Sequence, residues 1–332
     1  SILRITGPDG AKLLQGICTQ DMSVLSGQRA AAAAFLSPKG RVLCDSIAVS
    51  HEDSIFVDCH SAVAKSLLRL LLRHKLRMPL SIEDVSQSYS ILAALPAAAS
   101  LAEEGDPATA AALPSECADA FFTDPRFNLL GKRAVVKSDV ADATMQDSSS
   151  AIVDASLYHL WRLRCAVPEG PIDLPVDSAL PLNANLDLLN FISFQKGCYV
   201  GQELTARSKH VGTLRRRMYS VVAGGESIFE ALGTEPGAPL AAAAVSKAPD
   251  KALPSTTAAK KKGEGEEESI PVEAHLSADS AAKVLGHLAG TMYNIGLCTV
   301  RSDGALHEAA DFRRPLVADD VPLTVGGLPV RL

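Results

Sequence analysis

A chain of 332 residues, 47% apolar and 21% charged, has an ordinary globular balance and is long enough for two or three structural units. Its formal net charge of −6 excludes the overall basic footprint that nucleic-acid binding requires. No apolar run reaches the roughly 18–20 residues needed to span a bilayer; the densest, Ser66 to Leu72, is interrupted by Arg69 and reads as a buried helix face.

The opening reads as strand then helix. Leu3 and Ile5 alternate with polar neighbours, Gly7 breaks the run, and Pro8 suits a first helical position ahead of Leu13, Leu14 and Ile17. Strands are expected at Ala31–Leu36 and Val42–Ser50 around the turn Ser37-Pro38-Lys39-Gly40, and again at Ser54–Asp58. Ser61 suits the N-cap of a helix carrying Val63, Leu67, Leu68 and Leu71 on one face. From about Ser81 the character changes. Strands are expected at Ser90–Ala94, Ala120–Thr123 and Ala134–Lys137, with an Ala-rich stretch from Pro96 to Pro114 able to hold one helix. Asp147–Ser150 reads as a linker, and Ala155–Arg164 resumes regular structure around Trp161. Pro168 to Pro181 is an irregular loop, and Leu186–Phe191 has helical periodicity. After Arg215 the pattern is all-β. It is interrupted from Ala241 to about Ala274 by a low-complexity insertion with opposite charge blocks, expected to be disordered. Alternating strands and helices without a Gly-rich nucleotide loop give an α+β fold class.

The seven cysteines (Cys18, Cys44, Cys59, Cys117, Cys165, Cys198 and Cys298) are odd in number, with no CxxC. This argues against a disulfide framework or zinc ribbon and for a reducing compartment. Cys198 stands out for its neighbours: Lys196 and Gly197 before it, Tyr199, Gly201, Gln202 and Glu203 after it, then a helical composition through Arg207. A thiol just ahead of a helix, with cations nearby, is expected to deprotonate more readily, and the thiolate is the form that ligates iron. The glycines allow close approach of backbone or ligand. A lone cysteine between glycines is also, and more often, a packed turn residue. One cysteine cannot hold an iron–sulfur cluster by itself, so any cluster ligation would be shared with a partner or a small thiol.

The run Lys196 to Arg207, KGCYVGQELTAR, resembles the signature of the YgfZ-type family of iron–sulfur cluster assembly factors, and most of all its eukaryotic mitochondrial members. Pro181–Asp187, Phe191–Phe194, His210, Gly212, the opening Gly7–Asp9 through Thr19–Asp21, and Phe35–Arg41 with Asp45 fit the same resemblance, which spans nearly the whole chain except the insertion. The resemblance implies a fold like the T-protein of the glycine cleavage system: two mixed α/β units around a central folate-sized cavity, plus a C-terminal β-barrel. The units would be 1–80 with 151–213, then 81–150, then 214–332. It further implies a non-catalytic factor for four-iron clusters, monomeric alone, working with A-type iron–sulfur carrier proteins in the mitochondrial matrix. In that role Cys198 is a ligand of a bridging cluster or a thiol relay, with Lys196, Gly197, Tyr199, Gly201, Gln202, Glu203 and Arg207 shaping the motif. Asp45 and Arg41 would face a cavity for tetrahydrofolate. Transferases of this fold carry paired acids where this chain reads Cys44-Asp45, with only one acid. That leaves folate-dependent aminomethyl transfer, or folate binding without catalysis, as the alternative reading. Arg207, Lys209 and Arg215–Arg217 form a basic cluster that reads as a solvated face or a contact for an acidic partner.

Overall fold

The computed structural model describes residues 1–95, 117–146, 155–212, 214–223, 275–278, 284–292, 295–301, 323–325 and 328–331. The Ala-rich stretch, the linker and the insertion anticipated from sequence lie outside these residues.

The first sheet is antiparallel and has five strands: β1 (Ile2–Thr6), β2 (Ala30–Leu36), β3 (Val42–His51), β4 (Ser54–Cys59) and β5 (Ser81–Asp84), in the order β2-β3-β4-β1-β5. All of β2 is buried, because both of its faces are covered. Ala31, Ala33 and Phe35 pack with helices α1 (Gly10–Ile17) and α2 (Ser61–Lys75), whereas Ala32, Ala34 and Leu36 pack with the segment around 160–199. This is the period-2 alternation of a strand, with apolar residues in both registers because both faces are covered.

A second antiparallel sheet has the order β6-β8-β7, from β6 (Tyr89–Ala94), β7 (Phe122–Thr123) and β8 (Lys132–Lys137). Helix α3 (Ser138–Gln146) packs on one side through Ala141. On the other, Val135 and Phe122 join Ile2, Ile47 and Phe56 of the first sheet in a shared core. Helix α4 (Ala155–Arg164) and the one-turn α5 (Gly170–Asp173) follow, and then α6 (Gln202–His210) after the Cys198 loop. The C-terminal strands β9 (Arg216–Ala223), β10 (His275–Ala278), β11 (Val284–Met292), β12 (Ile295–Arg301), β13 (Leu323–Val325) and β14 (Leu328–Arg331) pair antiparallel in the order β10-β11-β12-β9-β14-β13.

The structure differs from the local sequence reading in several places. Helix α1 begins at Gly10 with Asp9 as its cap residue, so Pro8 lies ahead of the helix. The N-cap of α2 is His60, not Ser61: extended His60 accepts from the Ala62 amide through Nδ1 at 3.2 Å, a role more often filled by a hydroxyl or carboxylate. Helix α3 carries no strong apolar stripe, so its sequence does not announce it. The Pro168–Pro181 loop holds one helical turn, α5. Leu186–Phe191 is not a helix. Asn185 and Asn190 both take positive φ (60° and 58°), and the Asn185 side chain bonds the Met218 carbonyl at 2.6 Å, so the chain runs as successive turns.

Candidate functional site

The loop before α6 is anchored by a cation. Lys196 is 9% exposed, and its ammonium donates to the carbonyls of Gln15, Cys18 and Gln20, each at 2.8 Å. These carbonyls sit at and just beyond the C-terminal end of α1, where a positive charge is favoured. The ammonium also lies 5.1 Å from the centre of the Tyr199 ring. Burial pushes the Lys196 pKa down, while Cys18 and Asp21 act in the opposite direction. The same region is sewn to the loop by Thr19. Its hydroxyl donates to the Phe191 carbonyl (2.5 Å) and accepts from the Ala34 amide (2.9 Å), while the Ser193 amide donates to the Thr19 carbonyl (3.0 Å).

Two glycines allow α6 to seat. Gly201 has φ +80°, and a Cβ there would stand 2.4 Å from the Ser37 carbonyl oxygen and 2.7 Å from the Leu36 Cβ. Gly40, in the turn between β2 and β3, has φ +74° and would bring a Cβ within 2.8 Å of the Leu204 Cβ. The hairpin turn and the start of α6 are thus pressed backbone to backbone. Gly197 differs: a Cβ there would meet nothing within 4 Å. Gln202 closes the turn by accepting the Tyr199 amide at 3.3 Å.

Within this clamp the chain alternates. Lys196 and Tyr199 are buried, with the Tyr199 hydroxyl pushed up to about 12 by burial and by Cys18, while Gly197 and Cys198 are exposed. Of the six cysteines whose side chains are described, Cys198 alone is exposed. The cation expected beside it is turned inward, so Lys196 acts as an anchor for the loop. Glu203 and Arg207 lie exposed on α6, Lys209 reaches Asp187 at 3.4 Å, and Arg217 pairs with Asp187 at 2.5 Å.

Asp45 and Arg41 do not join this site. Asp45, 6% exposed, accepts the Gly170 amide at 3.0 Å and so holds the start of α5, where Gly170 takes φ +74°. Burial first, then Glu169, raises its pKa to about 6. The Arg41 guanidinium donates to the Ser178 carbonyl at 2.8 Å. Both side chains fasten the 168–181 loop onto β3. Cys44, beside Asp45 on β3, packs in the core beneath α1 and α2, its thiol pushed up by contact with Cys59 and by burial.

Next to Asp45 lies a buried ionic network assembled from residues far apart in the chain. Tyr158 accepts from Arg126 and Arg133, each at 2.7 Å, and donates to Glu169 at 2.6 Å. Arg126 also grips Asp124 (2.8 Å) and Glu169 (2.7 Å), and Arg133 reaches Asp58 of β4 at 2.6 Å. The arginines hold Glu169 well below the usual carboxylate range against its desolvation, and burial lifts the Tyr158 hydroxyl to about 12. These residues come from β4, the β7–β8 connection, β8, α4 and the loop after it, so no local spacing signals them. Among the described residues, no three His, Cys, Asp or Glu side chains gather to hold a metal ion, and no helix is long and apolar enough to cross a membrane.

No protein-family profile matches the chain. It is similar to the mouse protein described as iron-sulfur cluster assembly factor IBA57, mitochondrial, at 33% identity over 270 residues, covering 76% of this chain and 71% of that protein. The human protein of the same description is 34% identical over 242 residues, covering 67% and 64%. A homologue from Mycosarcoma maydis is 29% identical over 317 residues, covering 90% and 71%. Among solved structures, the glycine cleavage system aminomethyltransferase T from Bartonella henselae superposes with a TM-score of 0.60 at 13% identity, covering 100% of this chain and 82% of that one. At that identity the likeness speaks for the fold alone, a mixed α/β architecture of the T-protein kind.

Proposed function

The chain belongs to the mitochondrial iron–sulfur cluster assembly factor family of the mouse and human IBA57 proteins, and from that premise we propose that it supports four-iron cluster assembly by presenting Cys198 to an A-type iron–sulfur carrier protein. The observation that carries this reading is the contrast within the loop. Cys198 is exposed, while Lys196 and Tyr199 on either side of it are buried and held. A thiol fixed in place but open to solvent suits ligation across an interface. Cys198 loses its proton and supplies one thiolate to a cluster that is cargo, and the carrier or a small thiol supplies the other ligands. Lys196, Tyr199, Gly201 and Gln202 position the loop; Glu203 and Arg207 flank it on the side a partner would meet. The C-terminal strands are read here as the β-barrel of the T-protein-like architecture, with 1–80 plus 151–213, 81–150 and 214–332 as its three units. The factor is monomeric between encounters.

Folate-dependent aminomethyl transfer is not favoured. The chain has one acid, Asp45, where transferases of this fold carry two, and Asp45 accepts the Gly170 amide while Arg41 donates to the Ser178 carbonyl.

The test is anaerobic reconstitution of the full chain with an A-type carrier. A cluster bridging the two proteins is expected to form with the native sequence and to be lost with Cys198→Ala. If Cys198→Ala fully restores four-iron enzyme activity in cells lacking the native protein, the ligand role is wrong.

A further inference from the structure

Helix α2 carries a second feature that the Cys198 site does not use. Between His60 and Ile82 there are five cations, Lys65, Arg69, Arg73, Lys75 and Arg77, and no Asp or Glu, in a chain whose net charge is −6. Lys65, Arg69 and Arg73 are all exposed and follow one another at i,i+4, an arrangement of like charges that weakens a helix. None of them, nor Arg77, has an ion pair among the described residues. The acids on the adjacent strand β5 are already held, Glu83 by Arg4 at 2.6 Å and Asp84 by Ser86. Beside this row stand two exposed leucines, Leu72 (48%) and Leu76 (82%).

Leu76 is also in an unfavourable backbone conformation. The Met78 amide bonds the Lys75 carbonyl at 2.9 Å, and Leu76 has φ 48° and ψ −117°, the first central position of a type II′ turn, where glycine is the usual residue. A bulky side chain there is strained. It gains little from burial in return, since it projects into solvent. Uncompensated like charge, exposed leucines and a strained turn that displays one of them coincide on one helix end.

We propose that this outer face of α2 is a docking surface for an acidic protein surface, with Leu72 and Leu76 as its apolar centre and the Lys65, Arg69, Arg73 and Arg77 row as its charged margin. A protein fits better than a lipid surface. Only the last turn carries exposed apolar bulk, and the rest of the outer stripe is Ser61, Ala62 and Ser66 between cations, while the apolar face of the helix is spent on the core, so no exposed apolar length remains to lie in a bilayer. An apolar centre with a charged rim is the anatomy of a protein interface, and steering by complementary charge sets its on-rate. The surface is separate from Cys198, so this proposal stands or falls independently of the cluster-ligand reading.

The test places a photo-crosslinking phenylalanine analogue at position 69 of the full chain in mitochondria. The expected result is one predominant protein adduct, joined through a peptide rich in Asp and Glu. That protein, once purified, should bind the native chain with a Kd weakened about tenfold by Lys65→Glu with Arg73→Glu, and weakened likewise by added salt. Leu76→Gly should raise the Tm by relieving the turn while it weakens binding, a pair of opposite effects that a merely structural leucine would not give. Cys198→Ala should leave the adduct unchanged. Adducts only with lipid, sedimentation of the full chain with phosphatidylcholine vesicles containing cardiolipin, no predominant adduct, or an adduct insensitive to charge reversal would each overturn the proposal.

Discussion

Lys196 and Cys198 are two positions apart and meet opposite environments. Removing the Lys196 ammonium strips one donor from three carbonyls, so Lys196→Met should lower stability by about 2–4 kcal/mol in urea unfolding. Cys198→Ser touches an exposed side chain and should stay within about 0.5 kcal/mol of the native protein while cluster bridging is lost. Asp45 gives a residue-scale prediction in pH. Its folded pKa, about 6, lies above its ordinary value of 3.8, so the folded state holds the proton more tightly. The stability it contributes is full below the ordinary value and is lost as pH rises through about 6. Asp45→Asn keeps an oxygen for the Gly170 amide and cannot ionise. The variant's Tm advantage should therefore be absent near pH 4 and grow to the equivalent of roughly 2 kcal/mol above about pH 6.5. Glu169 has the opposite sign, stabilising above the ordinary carboxylate range and failing in acid; because its charge helps to raise the Asp45 pKa, the variant reads the loss of Asp45 ionisation together with its repulsion of Glu169.

At the scale of elements, the hairpin turn before β3 and the start of α6 depend on glycine at one contact. Gly201→Ala drives a methyl group onto the Ser37 carbonyl at a positive φ and should cost about 2–4 kcal/mol, read as a fall in Tm. Gly197→Ala faces open space and should be close to neutral in the same measurement. In the sequence the two glycines look alike, each able to permit close approach. Only the fold distinguishes them, because the neighbour of Gly201 is a turn more than 160 positions earlier. Strands β2, β3 and β4 were legible from alternation and turn residues. Helix α3 and the turns after Pro181 were not, since the first lacks a clear apolar stripe and the second hides two left-handed asparagines within a helical spacing.

Over the whole molecule, the Tyr158 network joins the two sheets. Arg133 on β8 reaches Asp58 on β4, and Tyr158 on α4 binds both arginines and Glu169. Tyr158→Phe takes one hydrogen bond each from Arg126, Arg133 and Glu169, which keep their ion pairs with Asp124, Asp58 and one another, and should cost about 2–4 kcal/mol, more than a typical single hydrogen bond, because the groups that lose it are charged. Urea unfolding should show the loss, and a native-like response would mean that the sheets are held by apolar packing alone.

The amino-acid sequence by itself determined the family, through its similarity to the mouse protein over 270 residues, and most of the strands, through their period of two. It also determined that Cys198 is the thiol worth asking about, since the neighbours that single it out are adjacent in the chain. The tertiary structure alone decided what those neighbours do: Lys196 turns inward to the end of α1, Asp45 caps a distant turn, and the network around Tyr158 gathers charges from four other segments. Local patterns carry signals of a few residues' range, whereas burial and charge pairing depend on which distant segments the fold brings within 3 Å.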